Sequence, residues 1–234
     1  MPSQGSSGFS RGGEDPPIVC YVTNRKVLGS ADSATGVLAK IRVAVAGGVN
    51  WVQIRERDMP PRELMALARA AIGLANDVPS GRRMNVIVND RLDVAIATGA
   101  AGVHLGGESI PAREVVRWRR AANAPAEFLV GVSCHSLEDA REAEASGASY
   151  IFLGPVFDTP SKRSFGQPQG IERLAEVCGA VQIPVVAIGG VNAENGGECL
   201  RAGAAGIAAI RWFQETSDPE ALRQAVAQLG VRAR

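Results

Sequence analysis

The chain has 234 residues, enough for one large domain or two small ones, and its 25 Lys and Arg against 24 Asp and Glu leave a formal charge of +1 at pH 7. With no basic stripe and no acidic tail, nucleic acid and membrane surfaces are poor partners, and chemistry on small molecules is expected. Cys20, Cys134, Cys178 and Cys199 are far apart and form no Cys-x-x-Cys pair, which argues against a structural zinc site or a disulfide framework and fits a reducing cytoplasm.

Residues 1–16, MPSQGSSGFSRGGEDP, are rich in Gly, Ser and Pro and hold no apolar run, so a disordered leader is expected there. The stretch lacks the apolar core of a signal peptide. Nowhere does the sequence offer the roughly eighteen uninterrupted apolar residues of a membrane span.

From residue 17 onward, short apolar runs alternate with longer segments of helical periodicity. Strands are predicted at 18–23, 51–56, 85–90, 102–106, 128–134, 150–156, 185–190 and 206–212, and helices near 34–46, 61–76, 91–98, 112–122, 137–146, 170–180, 193–202 and 218–229. Strict alternation implies parallel strands, because each crossover helix returns the chain to the same end of the sheet. Eight such units predict an α/β fold of the (β/α)8 TIM-barrel type, one domain over residues 17–234.

An internal repeat favours the closed barrel over an open sheet. Aligning Gly48, Gly99, Gly147 and Gly203 superposes GVNWVQIR, GAAGVHLG, GASYIFLG and GAAGIAAI at the second, fourth, sixth and eighth strands. Each glycine suits a left-handed turn after a helix. One strand face carries Val52/Ile54, Val103/Leu105, Ile151/Leu153 and Ile207/Ala209, apolar residues suited to lie beneath outer helices. The other face supplies Trp51, Gly102, Tyr150 and Gly206 at one level, then Gln53, His104, Phe152 and Ala208, then Arg55, Gly106, Gly154 and Ile210, as interior layers of four.

Barrels of this type build their sites at the carboxyl ends of the strands. Those ends hold Gln53, Arg55, Glu56, Arg57 and Asp58; Asn89 and Asp90; Glu108 and Ser109; Ser133 and His135; the long polar loop FDTPSKRSFGQPQG (157–170), whose length and Pro and Gly content suit a lid; Gly189-Gly190; and Arg211. Gly189-Gly190 would let a phosphate approach bare backbone N–H groups after the seventh strand. Arg55, whose layer parity points it inward, with Arg57, Lys162 and Arg163, would make the mouth cationic enough to receive an anion. Asp90 is either a ligand for magnesium beside a phosphate or the cap of the following helix. His135 is either a general acid or base or part of the start of the fifth helix, whose N-cap is read as Ser136 with Asp139 three positions on. His104, inside the barrel, is read as a hydrogen-bonded layer residue rather than a catalyst.

QIRER (53–57), VNDRLD (88–93), GVHLG (102–106), GVSCHS (131–136), GPVFDTPSK (154–162), AIGGV (187–191) and GIAAI (206–210) together resemble the thiamine-phosphate synthase superfamily, which also contains thiazole tautomerases. The resemblance runs from residue 18 through essentially the whole chain. It implies a transferase of thiamine biosynthesis that joins hydroxymethylpyrimidine diphosphate to thiazole phosphate and releases pyrophosphate. By position, it implies that Gln53 contacts the pyrimidine, and that Arg55, Arg57, Asn89 and Lys162 bind the diphosphate. Asp90 would bind Mg2+, and Ser133 would bond to the pyrimidine or the departing diphosphate. Thr159 and Ser161 fall where the family binds the second substrate, and Gly189, Gly190, Ile210 and Arg211 would cradle its phosphate.

The family's usual pattern differs at three places. Arg57 replaces a lysine, keeping the charge but changing the geometry of its donors. Ser109 stands where a second metal-binding aspartate is usual, so the metal would rest on Asp90 with Ser109 or Glu108 and water. Arg211 stands in place of a serine. A tautomerase using His135 as acid-base residue is the alternative that Ser109 favours, and a silent phosphate-binding regulator is a third reading. Phosphorylated small molecules are the expected partners, and scattered apolar helix faces make a homodimer plausible.

Overall fold

The computed structural model describes residues 16–31, 33–76, 84–159 and 167–232. The predicted leader therefore lies, apart from Pro16, outside the described residues, as do Ser161, Lys162 and Arg163 of the long loop. Eight apolar segments form parallel strands: β1 Ile18–Val22, β2 Trp51–Ile54, β3 Asn85–Asn89, β4 Gly102–Leu105, β5 Leu129–Cys134, β6 Tyr150–Leu153, β7 Val185–Ile188 and β8 Gly206–Ala209. Each pairs with the next, and β8 pairs back onto β1 in the register Cys20 to Ala208, so the sheet is a closed (β/α)8 barrel. The helices are α1 Ala34–Ala46, α2 Pro61–Asn76, α3 Leu92–Thr98, α4 Ala112–Ala121, α5 Leu137–Ala145, α6 Gly170–Ala180, α7 Gly196–Arg201, α8 Arg211–Glu215 and α9 Pro219–Arg232.

The helices bury one stripe each. In α2, Leu64, Leu67, Ala68 and Ala71 fall at the spacing that lines one helix face, and all four are buried. Side-chain caps fix two helix starts: Ser33 Oγ accepts from Gly36 N at 3.0 Å, and Ser136 Oγ accepts from Asp139 N at 3.0 Å. Gly48, Gly99, Gly147 and Gly203 all sit at positive φ, between 71° and 96°, so the aligned glycines do mark left-handed turns between a helix and the next strand.

Strand parity sorts the core into two parts. Val52, Ile54, Val103, Leu105, Ile151, Leu153, Ile207 and Ala209 join the shell between sheet and helices, while Trp51, Tyr150, Phe152, Val186 and Ala208 fill the barrel itself. Inside, Trp51 meets Tyr150 edge-on at 4.9 Å, and the His104 ring lies 4.3 Å from that of Phe152. The Tyr150 and His104 side chains occupy space that Gly131, on β5 between their strands, leaves open.

Several predicted boundaries move, each for a local reason. The eighth strand ends at Ala209, not at residue 212, because Ile210 takes a helical conformation and Arg211 opens the short helix α8. The seventh crossover helix begins at Gly196, not at 193, because Asn192 and Asn195 bind the backbone between them. Asn192 Oδ1 accepts from Glu194 N at 2.8 Å, and Asn195 Oδ1 accepts from Asn192 N at 2.9 Å, a turn that competes with helix. The sixth strand ends at Leu153, ahead of the cis Gly154–Pro155 bond. A 3-10 segment, Arg25–Ala31, follows β1 where no element was predicted.

Candidate active site

The carboxyl ends of β2, β3 and β4 meet in one hydrogen-bonded chain. Gln53, buried in the barrel, donates from Nε2 to Asn89 Oδ1 at 3.1 Å, and Asn89 Nδ2 donates to Asp90 Oδ2 at 2.6 Å. Ser109 Oγ in turn donates to Asp90 Oδ1 and accepts from Gly106 N at 2.7 Å. The polar ends of β3 and β4 are thus in direct contact through Asp90 and Ser109.

The same geometry bears on the cap reading of Asp90. The residue before α3 is Arg91, which makes no side-chain cap, and the Asp90 carboxylate points away from the helix into the chain just described. Asp90 also holds a φ of 59°, uncommon for a residue with a side chain, while its N–H donates to His104 O at 2.9 Å. Asp is among the residues that tolerate this left-handed conformation, and from it the carboxylate meets Asn89 and Ser109.

Arg55, half-buried just past the end of β2, lies near enough to Asp90 for the two charges to interact. Its N–H donates to Thr23 Oγ1 at 2.9 Å, which anchors the β2 end to that of β1. Burial, and then the neighbouring Arg57 cation, lower the Arg55 pKa, while Asp90 and Glu56 oppose the shift. Two cations held close together without full neutralisation make a mouth that gains from receiving an anion.

Glu56 is used differently. Buried beneath the rim, it accepts from Arg25 N at 3.1 and 3.0 Å, and so holds the 3-10 segment in place. Arg25 Nη1 reaches Asp58 Oδ1 at 2.7 Å, with Lys26 on the other carboxylate oxygen at 3.0 Å. Asp58 is consequently held well below the usual carboxylate range by hydrogen bonds from Arg25 and Lys26, at about 2. Thr23 and Arg25 were not singled out from the sequence; each sits just past a strand end and is bonded to a residue some thirty positions away, a pairing that leaves no local signal.

On the far side, β5 places Ser133 half-buried at its carboxyl end, with Ser133 Oγ 2.9 Å from His104 Nε2. His135 lies at the exposed rim: its Nδ1 contacts Gly154 O, its N–H donates to Asp139 Oδ2 at 2.8 Å, and its carbonyl accepts from Gln169 Nε2 at 2.5 Å. Ser136 is the N-cap of α5, as read from the sequence. Thr159 is half-buried beyond β6, and Ser161 and Lys162 lie outside the described residues.

Gly189 and Gly190 have φ of 94° and 68°. A Cβ on Gly189 would lie 2.5 Å from Pro155 Cα, and one on Gly190 would lie 2.6 Å from Asp158 O. The glycines therefore serve the close approach of the β6 loop, whose Phe157 N donates to Gly189 O at 2.9 Å, as well as leaving bare backbone at the rim. Ile210 and Arg211 begin α8 immediately after β8, giving the short extra helix that commonly completes a phosphate site in such barrels.

Asp90 is the carboxylate at the centre of this hydrogen-bonded chain. Among the described residues no cluster of three or more His, Cys, Asp or Glu is arranged to hold a metal, so an ion here would meet one carboxylate with the Ser109 hydroxyl beside it. Magnesium accepts such a pair, because it keeps waters and takes phosphate oxygens readily.

A closed (β/α)8 barrel whose mouth gathers a carboxylate, carboxamides, hydroxyls and inward guanidinium charge defines a barrel protein built to receive an anion. The chain belongs to the thiamine monophosphate synthase family, whose model matches residues 20–213. It is 40% identical over 209 residues to a thiamine-phosphate synthase of Roseiflexus sp. strain RS-1, covering 89% of this chain and 83% of that protein. It is 39% identical over 197 residues to that of Moorella thermoacetica, covering 84% and 90%. A solved structure, thiamine phosphate pyrophosphorylase from Pyrococcus furiosus, superposes with a TM-score of 0.74 at 32% identity, covering 90% of this chain and 96% of that one.

Proposed function

We propose that the chain is a thiamine-phosphate synthase, a transferase that joins hydroxymethylpyrimidine diphosphate to thiazole phosphate and releases pyrophosphate. The observation that carries this reading is the Gln53–Asn89–Asp90–Ser109 chain at the barrel mouth of a member of this family. In the reaction, the bond from the pyrimidine methylene carbon to the diphosphate oxygen breaks, and its electron pair leaves with the diphosphate. The thiazole nitrogen then gives its lone pair to the carbon. The need is to stabilise a departing polyanion and keep water from a cation, with little call for proton transfer.

Each residue has a part suited to its place. Gln53, fixed by Asn89, meets the pyrimidine edge, and Arg55, Arg57 and Asn89 receive the diphosphate. Ser133 gives a hydroxyl to the same group from β5. Lys162 and Ser161 are assigned to the diphosphate and the second substrate on the resemblance of their motif, and Thr159 to the second substrate beside them. The phosphate of the thiazole is assigned to Gly189, Gly190, Ile210 and Arg211. Asp90, with Ser109, would hold magnesium, which neutralises diphosphate charge when bound. His135 is assigned to shaping the rim, since its Nδ1 and its backbone are engaged with Gly154, Asp139 and Gln169.

No helix among the described residues is long and apolar enough to cross a membrane. The four cysteines, all buried and in no disulfide, fit the proposed place in a reducing cytoplasm. The test is to supply both substrates with and without magnesium and to measure pyrophosphate. Magnesium-dependent release supports the synthase. Absence of release, with proton exchange on the thiazole substrate that is lost in His135→Ala, would establish a tautomerase instead.

A further inference from the structure

Two hydrogen bonds inside the barrel have no part in the roles assigned above. Tyr150 Oη lies 3.1 Å from His104 Nδ1, and His104 Nε2 lies 2.9 Å from Ser133 Oγ. Tyr150 and His104 are each 1% exposed, whereas Ser133 is half-buried at the end of β5. A relay therefore runs from the sealed interior to the mouth. The structure makes room for it: a Cβ on Gly131 would lie 2.6 Å from His104 Nδ1 and closer still to the Tyr150 ring. We propose that His104 is a positioning residue whose hydrogen bond to Tyr150 fixes the Ser133 hydroxyl as a donor aimed into the mouth.

The polarity of the relay follows from counting donors. A buried phenol has one proton to give, and among the described residues His104 Nδ1 is the acceptor the Tyr150 hydroxyl meets. If Nδ1 accepts, the neutral imidazole carries its proton on Nε2 and donates it to Ser133 Oγ. The serine proton is then left to point outward. In the opposite polarity, Ser133 would donate to Nε2 and Nδ1–H to the phenol oxygen, leaving the Tyr150 proton buried without an acceptor. That arrangement is disfavoured by roughly ten-fold or more. Both side chains are sealed from solvent, which favours the neutral form of each.

The orientation matters because the proposed reaction, on which the role of Ser133 rests, needs donors that are already aimed when the diphosphate departs. A free serine hydroxyl rotates among several acceptors. One that already accepts from His104 is held and polarised toward donation. The contribution is felt as charge develops on the leaving oxygen, so it belongs to turnover more than to substrate affinity.

The test uses the full-length enzyme labelled with 15N at its two histidines, with His104→Gln to assign the His104 signals. The expected result is a neutral His104 protonated at Nε2 in the resting protein, and a tautomer mixture in Tyr150→Phe, which keeps the packed ring but loses the proton. Tyr150→Phe should lower kcat roughly ten-fold with KM for the pyrimidine diphosphate changed less than about two-fold. In a Ser133→Ala background the same substitution should have little further effect, an interaction that a general packing defect would not produce.

Protonation at Nδ1 in the resting enzyme, or an equal loss from Tyr150→Phe with and without Ser133, would overturn the proposal. If Tyr150→Phe melts early, His104→Gln, which still offers an N–H toward Ser133, should retain more activity than His104→Leu; equal loss would again overturn it. A wild-type protein that forms no thiamine phosphate defeats the proposed reaction alone, because the tautomer is read without turnover and decides the polarity of the relay by itself.

Discussion

Ser109 stands where the resemblance leads one to expect an aspartate, and its position explains what a serine does there. Its hydroxyl gives Asp90 a neutral donor where a second carboxylate would give it a like charge. Ser109→Asp should therefore destabilise the metal-free protein by about 1 kcal/mol, the repulsion of two charges about 4 Å apart in water. Magnesium should reverse the sign. In thermal melts, the variant is expected to gain more in Tm from added magnesium than the native protein does, and to need less magnesium for half-maximal activity. An unchanged response to magnesium would place the ion elsewhere.

The cysteines give a second prediction at this scale. Burial pushes Cys134 and Cys199 up to about 12, and Cys20 and Cys178 are buried as well. The thiolate is the reactive form, so at pH 8 all four should resist a disulfide reagent in the native protein and react together on unfolding. Rapid labelling of one thiol in the folded state would show that the barrel opens locally.

At the scale of the elements, the strands were legible because each is a short apolar run whose alternate residues face two different environments. Trp51, Tyr150 and Phe152 inside, and Val52, Ile151 and Leu153 outside, could be sorted by parity alone. The short helix α8 and the 3-10 segment were not legible. Neither has a period long enough to register, and the 3-10 segment is held by Glu56, 31 residues from Arg25 in sequence. Asn89, Asp90 and Ser109 could be placed at one mouth from topology, but their mutual bonds depend on rotamers and on the left-handed turn at Asp90. The Ser133–His104–Tyr150 relay was half visible: parity put His104 indoors, while nothing in the sequence named its partners.

Glycine substitutions separate these element-level roles by sign. Gly131→Ala drives a Cβ into Tyr150 and His104 and should cost about 1–3 kcal/mol, the usual penalty of overpacking. Gly73→Ala, within α2 where a Cβ meets nothing within 4 Å, should stabilise by about 0.5–1 kcal/mol. Chemical denaturation of the two variants checks both; a neutral Gly131→Ala would mean that the barrel interior is looser than its contacts indicate.

For the whole molecule, the buried His104 couples stability to pH. An unfolded histidine titrates near 6.5, whereas burial lowers the native His104 to about 3. The unfolded chain therefore takes up a proton that the native barrel refuses. The contribution is fully present above about pH 6.5 and is lost as pH falls toward 3, by about 1.4 kcal/mol for each unit within that window. Tm should fall on acidification below 6.5, with a smaller slope in His104→Gln; identical slopes would mean that other groups carry the acid sensitivity.

The barrel as a whole brings groups from β2, β3, β4 and β5, distant in sequence, to one end, and its near-neutral surface leaves the cationic mouth as the local attraction for an anion. Product stoichiometry tests the proposed use of that mouth most directly. With hydroxymethylpyrimidine diphosphate, thiazole phosphate and magnesium, the protein is expected to form thiamine phosphate and pyrophosphate in equal amounts, and a folded Asp90→Ala variant to do so roughly 100-fold more slowly. No thiamine phosphate from the native protein at saturating substrate, or an undiminished rate in Asp90→Ala, would contradict it.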